Sequence, residues 1–119
     1  MSVPHKTLAS MLSGLCLAGS ALAQGAAPPA QERERALVRM VRQDCGSCHG
    51  MQLTGGLGPA LTPQALQGMP AESLAATIYH GRPGTPMPPW KAMLSEQEAD
   101  WIAQRLLAGF PQEQKRNTR

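Results

Sequence analysis

Two of the three cysteines, Cys45 and Cys48, stand three positions apart, and His49 follows at once. The third, Cys16, lies in an apolar stretch near the start that we expect to be removed from the mature protein. No cysteine would then remain for a structural disulfide, although small exported domains usually need a disulfide, a metal or another bound group to supplement a thin core. With one Phe, one Tyr and two Trp, this chain lacks large core side chains. The fold therefore depends on something that the cysteine pair holds.

The first 23 residues have the pattern of a cleavable export signal. Lys6 gives a positive start, residues 8–23 are uncharged and largely apolar, and the last three of them read ALA, with small residues where a signal peptidase needs them. The apolar stretch is short for a bilayer span. We therefore expect cleavage after Ala23, a periplasmic location and no membrane anchor in the mature protein.

The remainder predicts one all-α domain, because its apolar residues recur at helical spacing and no strand-like alternation is present. Helices are expected from about Glu32 into Cys45, over a short stretch from Thr62 to Leu66, from Ala71 to Tyr79 or His80, and after a capping box at Ser95. The predicted organisation is a signal peptide at 1–23, a flexible leader at 24–31, the domain at 32–110 and a polar basic tail at 111–119. Residues 82–90 contain four prolines and predict an extended loop.

The five residues from Cys45 to His49 read CGSCH, which is the haem-attachment motif. Two thiols at this spacing can add to the two vinyl groups of a porphyrin as thioethers, and the next residue presents its imidazole to the iron. Two other interpretations compete with this one. A thioredoxin-like redox site would need strands around a βαβ unit, and a zinc site could draw on the four ligands Cys45, Cys48, His49 and His80.

A haem iron held by His49 needs a second axial ligand or keeps an open position. Met87 is the preferred candidate, because the flanking Pro86 and Pro88 restrict the backbone and can hold a thioether in place. The alternatives are a histidine at a predicted helix end and three methionines, one close to His49 in sequence and two expected to fill the core: His80, Met51, Met69 and Met93.

Together with Gly58-Pro59, Met87-Pro88 and a closing helix after Ser95, the CGSCH motif resembles the class I cytochromes c. The resemblance covers residues 33–109, and the fuller loop sequences resemble the small monohaem c-55X type found with denitrification systems. It implies a small all-α fold around one covalently bound haem c. It also implies that the Pro59 carbonyl accepts from the ring N–H of His49 and that Met87 is the other axial ligand.

Three positions depart from the usual class I pattern. Leu37 and Val41 stand where a small residue and an aromatic residue are usual, and Arg105 stands where the last helix usually carries an aromatic residue. These positions affect how the first and last helices cross.

A closed iron site suits one-electron transfer and argues against an enzyme. The resemblance implies a periplasmic carrier that donates electrons to a nitrite reductase carrying haem c and d-type haem, and that receives them from a quinol-linked donor. An assembly role in maturation of the d-type haem, or a haem protein with an open sixth position that binds small molecules, are the alternatives. We expect a monomer. Loss of Lys6 with the signal would lower the formal net charge from +3, and two haem propionates would bring it to about zero, so no nucleic-acid partner is implied. Arginines of the first helix could dock a redox partner: Arg33, Arg35, Arg39 and Arg42.

Overall fold

The computed structural model describes residues 30–113, which contain helices and loops and no strand. The helices are α1 (Gln31–Met40), α2 (Gly46–His49), α3 (Ala71–His80) and α4 (Glu96–Ala108), with a π-helical turn (Val41–Cys45) joining α1 to α2. The predicted all-α fold is confirmed. The predicted signal peptide, the leader up to residue 29 and tail residues 114–119 lie outside the described range. No helix within 30–113 is long and apolar enough to cross a membrane.

The first helix begins at Gln31, which was predicted to close the leader, and Ala30 is its N-cap. Glu32 and Glu34 lie in the first turn of α1, where a carboxylate interacts favourably with the positive end of the helix dipole. The helical path continues without a break to His49. The prediction that this helix runs directly into Cys45 is therefore confirmed, but the π-helical turn on its way was not predicted.

The helix predicted from Thr62 to Leu66 was wrong, because the segment forms only a hydrogen-bonded turn. The Leu66 amide donates to the Thr62 carbonyl at 3.0 Å, and the Ala65 amide donates to the Thr62 hydroxyl at 3.3 Å, as at a helix N-cap. The turn does not propagate, because Gly68 takes φ +80° and Pro70 follows.

The last two helices follow their sequence signals. Gly81, at the C-cap of α3, takes φ 68° and ψ −170° and ends that helix. Ser95 and Glu98 form the predicted capping box of α4: the Glu98 amide donates to the Ser95 hydroxyl at 3.2 Å, and the Ser95 amide donates to the Glu98 carboxylate at 2.9 Å.

One hydrophobic core joins α1, the π-helical turn, α3 and α4. Leu37 and Val41 are fully buried in it, so the departures from the class I pattern at these two positions supply core packing. One face of α4 is also buried, and α3 packs on this helix. The core consists of residues from every helical segment except the α2 turn, together with loop leucines: Leu37, Val41, Leu53, Leu66, Leu74, Ile78, Leu94, Ala99, Ile102, Ala103 and Leu106.

Two arginines of the first helical segment bind residues far away in the chain. Arg33 pairs with the Glu98 carboxylate of α4. Arg42, which is buried, donates to the Phe110 carbonyl at 2.8 Å and to the Pro111 carbonyl at 3.0 and 3.1 Å. Pro111, the first residue of the predicted tail, is thus anchored to the domain.

Candidate functional site

The continuous helical path from α1 into α2 determines how the CGSCH segment is presented. The π-helical turn ends at Cys45, and α2 then carries Cys48 and His49. A π-helical turn inserts an extra residue into an α-helix and so changes the faces on which the following side chains lie, which is why such turns are frequent at functional sites. Cys45 is partly buried and Cys48 is exposed.

The two thiols differ in their surroundings. Burial raises the pKa of the Cys45 thiol to about 11, and the nearby Asp44 carboxylate adds to the increase. At neutral pH this thiol is therefore protonated, and a protonated thiol is a poor nucleophile toward a disulfide or an oxidant. A protonated Cys45 does not act as the thiolate of a redox site, and the strands required by the thioredoxin-like alternative are missing from residues 30–113.

The imidazole of His49 is fixed by the loop that follows it. Its ring atom Nδ1 lies 2.7 Å from the Pro59 carbonyl oxygen. Because a carbonyl oxygen only accepts, Nδ1 must carry the proton in this contact, and the neutral ring then has its free lone pair on Nε2. The backbone of Gly58 also lies against the ring, since a Cβ built on this glycine would be 2.8 Å from Cε1 of His49. The ring is therefore held in one orientation and one tautomer.

Backbone hydrogen bonds fold that loop over α2. The Gly58 amide donates to the Cys48 carbonyl and the Gly55 amide to the His49 carbonyl, both at 2.8 Å. Leu53 adopts φ 60°, which costs a non-glycine residue about 1–2 kcal/mol. Its side chain is buried in the core. The Leu53 amide donates to the Gly50 carbonyl, and the Leu53 carbonyl accepts from the Leu61 amide. These contacts maintain the unfavourable backbone conformation.

The predicted proline loop leaves α3 at Gly81 and carries Met87. A Cβ on Gly81 would lie 2.6 Å from the carbonyl carbon of Pro88, so the loop returns directly over the end of α3. The Trp90 amide donates to the Tyr79 carbonyl at 3.2 Å and closes the base of the loop. No helix forms between these contacts, which confirms the extended loop predicted from the four prolines.

The candidate second ligands occupy different environments. Met87 is partly buried. The expectation that Met69 and Met93 fill the core was wrong, because their exposed fractions are 43% and 52%; Met51 is 57% exposed. His80 is exposed and meets the ring of Tyr79 edge-on, at 5.0 Å between ring centroids.

The zinc alternative fails on geometry. Within residues 30–113, no group of three or more His, Cys, Asp or Glu side chains is placed to hold a metal ion. The four ligands on which it depended, Cys45, Cys48, His49 and His80, all lie in this range and do not converge. The donor set that remains together is the two thiols with the neighbouring imidazole. It fits haem c, which requires two thiols on one helical turn and an imidazole with a free Nε2.

Sequence reasoning missed the structural use of two arginines. Arg33 and Arg42, considered for partner docking, are engaged inside the domain by Glu98 and by the carbonyls at 110–111. The Arg42 guanidinium also lies 5.5 Å from the centroid of the Phe110 ring. Of the four, only Arg35 is exposed, and Arg39 is partly buried. An arginine among apolar residues of a helix, as in residues 37–42, is the one sequence signal that could have indicated the Arg42 contacts.

Comparisons with known proteins identify related c-type cytochromes. The model of the family described as cytochrome C oxidase, cbb3-type, subunit III matches residues 32–104. Cytochrome c55X of Stutzerimonas stutzeri is 58% identical over 86 residues, which cover 72% of this chain and 76% of the relative. The solved structure of the c-type cytochrome NirC matches with a TM-score of 0.67 and 57% identity, over 69% of this chain and 96% of that one.

A larger protein contains a similar unit. The structure described as dihydro-heme d1 dehydrogenase NirN in complex with DHE matches with a TM-score of 0.56 and 34% identity. The match covers 65% of this chain and only 16% of that one. From the family match and the cytochrome c55X relatives, this chain belongs to the cytochrome c55X family of small c-type cytochromes and carries one covalently bound haem c.

Proposed function

We propose that the chain is a periplasmic one-electron carrier in which Cys45 and Cys48 form the haem thioethers and His49 and Met87 are the axial iron ligands. The observation that carries the proposal is the 2.7 Å contact between His49 Nδ1 and the Pro59 carbonyl, which leaves Nε2 as the ligand atom. The bound haem supplies the change between ferric and ferrous iron.

The residues of the chain perform three tasks in this proposal. The cysteines prevent loss of the cofactor in an open compartment. The Pro59 carbonyl and the Gly58 backbone hold the imidazole so that its ligand atom does not rotate when the oxidation state changes. Met87, a neutral and soft donor, favours the ferrous state and raises the reduction potential. Because His49 and Met87 would both bind the iron, no open position would be left for a substrate, which favours a carrier over an enzyme.

Met87 is favoured because it is partly buried in the loop that returns over α3, whereas Met51, Met69 and Met93 are exposed. Met87→Ala should remove the weak red absorption band of a ferric iron–sulfur bond and lower the reduction potential. Met93→Ala is the matched control, because it removes the same side chain from an exposed position and should leave the band intact. Loss of the band in Met93→Ala alone would move the ligand to Met93, and loss in neither variant would favour His80.

The partner follows from the c55X resemblance: we propose that the reduced protein, as a monomer, passes its electron to a nitrite reductase carrying haem c and d-type haem, and is itself reduced by a quinol-linked donor. Stopped-flow mixing of the reduced protein with that reductase should show rapid reoxidation. Slow transfer to the reductase would contradict this role.

An assembly role in d-type haem maturation is the second candidate, and the similarity to part of a dihydro-heme d1 dehydrogenase favours it. An assembly role predicts slow electron transfer to the mature reductase and tight binding of a d-type haem precursor. Titration of the holoprotein with that precursor, followed by absorbance, separates the two functions.

A further inference from the structure

The loop that carries Met87 has few backbone hydrogen-bond donors. Four of the nine residues at 82–90 are prolines, which lack an N–H group. Prolines restrict the backbone of the loop but cannot donate hydrogen bonds that connect its two sides. The donors that remain therefore decide whether the loop has one conformation.

The base of the loop is fastened independently of its tip. At the base, Gly81 lies against Pro88, and Trp90 donates to the end of α3. At the tip, only one backbone bond spans the loop, from the Arg82 amide to the Met87 carbonyl at 3.1 Å. One bond between two segments acts as a hinge and leaves their relative rotation undetermined.

A side chain provides the second connection. The Thr85 hydroxyl donates to the Arg82 carbonyl at 2.6 Å and accepts from the Met87 amide at 3.3 Å. The Thr85 amide donates to the same Arg82 carbonyl at 3.1 Å. The hydroxyl thus lies between the start of the loop and the residue that carries the thioether, in the manner of the local turns that Ser and Thr side chains form with nearby backbone groups.

We propose that Thr85 is a positioning residue for the Met87 thioether. The inference rests on the proposed function, in which Met87 is the sixth ligand. With the hydroxyl in place, the Met87 backbone is held on both its amide and its carbonyl side, so little conformational freedom remains to be lost when the sulfur binds iron. Without it, Met87 turns about its single remaining bond, and the sulfur leaves the iron more often.

The test uses three Thr variants of the haem-loaded protein. Thr85→Val keeps the shape and removes the hydroxyl, Thr85→Ser keeps the hydroxyl, and Thr85→Ala excludes a steric effect of the valine methyl groups. Thr77→Val is the matched control, since the Thr77 hydroxyl also donates to a backbone carbonyl, that of Ser73 at 2.8 Å, but within α3. The probe is imidazole, which competes with the thioether for ferric iron.

We expect Thr85→Val and Thr85→Ala to bind imidazole about five- to tenfold more tightly than the parent, in line with the loss of one or two ordinary hydrogen bonds. The ferric iron–sulfur band should weaken, and the reduction potential should fall. Thr85→Ser and Thr77→Val should match the parent in all three measurements. A purely structural role for Thr85 would lower the melting temperature of Thr85→Val without changing the imidazole affinity, and would overturn the inference.

Met87→Ala, measured in parallel, separates failure of this inference from failure of the proposed function. If Met87→Ala keeps the iron–sulfur band, the sixth ligand lies elsewhere and both fail. If Met87→Ala loses the band while Thr85→Val and Thr85→Ala bind imidazole like the parent, the ligand assignment stands and the role of Thr85 is wrong.

Discussion

On the His49 side of the site the chain is held by close backbone contacts, whereas on the Met87 side it is held by prolines and one hydroxyl. The His49 ring touches Gly58 and Pro59, and the loop bonds the carbonyls of the residues that it covers. The Met87 loop is fastened tightly only at its base, where Gly81 meets Pro88. The two loops thus reach order by different means.

This difference predicts that Met87 is more mobile than His49. Opening the His49 side would break several backbone hydrogen bonds and, in the haem-loaded protein, is further restricted by the covalent links of Cys45 and Cys48. Opening the tip of the Met87 loop would break only the bonds made by Arg82, Thr85 and Met87 itself. Exchange of an axial ligand should therefore begin at Met87, and hydrogen exchange of the Met87 amide should be faster than that of Gly58.

The largest effect is expected when the covalent links between the cysteines and the haem are removed. Cys45→Ala with Cys48→Ala should abolish covalent haem and leave the chain without a cooperative thermal transition, because a domain with so few aromatic residues cannot fill its core. Circular dichroism during heating measures this. A sharp transition in the double variant would show that the contacts around His49 order this side without the cofactor.

The base of the Met87 loop should show the next largest effect. Gly81 has φ 68° and ψ −170°, a region open essentially to glycine, and a Cβ there would also meet backbone atoms of Pro88 and Pro89 at 2.6 Å. We expect Gly81→Ala to lower the free energy of unfolding by about 3 kcal/mol or more, from backbone strain and overpacking combined. Urea unfolding gives the value.

Gly84 provides the matched control for that variant. It lies in the same loop with φ +77°, but no atom lies within 4 Å of the position that a Cβ would take there. Gly84→Ala should cost only the backbone strain, about 1–2 kcal/mol. Equal losses in the two variants would mean that the contact between Gly81 and Pro88 does not fasten the loop.

On the His49 side of the site, substitution of Gly58 tests the contact between its backbone and the His49 ring. A Cβ at Gly58 would lie 2.8 Å from Cε1 and 2.9 Å from Nδ1 of His49, so the ring must shift and its bond to Pro59 must weaken. We expect Gly58→Ala to cost about 1–3 kcal/mol in stability through overpacking, and to change the reduction potential.

The control for the ring contact is Gly68→Ala, because Gly68 has a positive φ and a Cβ there would have no atom within 4 Å. It should lower stability by about 1–2 kcal/mol, from backbone strain alone, and leave the potential as in the parent. An unchanged potential in Gly58→Ala would show that the imidazole is not held by this contact.

The elements that sequence predicted are those with local signals. The capping box of α4 needs only Ser95 and Glu98, three positions apart, and the proline loop follows from the chemistry of its own residues. The CGSCH motif likewise carries its chemistry in five consecutive residues. By contrast, the turn at Thr62 has a local N-cap signal without enough residues to propagate a helix, since the first turn of a helix is unfavourable until more bonds follow.

The features that sequence did not predict depend on distant partners. Arg42 binds carbonyls 68 and 69 positions away, and no local pattern specifies a backbone acceptor at that separation. The Thr85 contacts are local, but a threonine among prolines is compatible with many turns. The His49 contact with Pro59 came from family resemblance, because a separation of ten positions does not fix the path of the loop.

The smallest expected effect concerns the ion pair that connects α1, and through it the His49 side, to α4. The hydrogen bond from Arg33 lowers the pKa of Glu98, and the bonds from Ser95 act in the same direction; the same pair raises the pKa of Arg33. A carboxylate with a lowered pKa adds stability above the pKa of the unfolded chain, about 4.3 for Glu, and that stability is lost as the pH falls through the lower pKa of the folded protein.

A double-mutant cycle isolates this pair. Glu98→Gln removes the charge but keeps a side chain that can complete the capping box, and Arg33→Gln removes the other charge. Because the Arg33 side chain is 41% exposed, solvent screens the pair, and we expect a coupling of about 0.5–1 kcal/mol at pH 7. It should disappear below the folded pKa of Glu98 and shrink in high salt, while Arg35→Gln, on an exposed position of the same helix, should show no coupling to Glu98. No coupling at neutral pH would mean that Arg33 acts through its hydrogen bond to the Met93 carbonyl, not through the charge of Glu98.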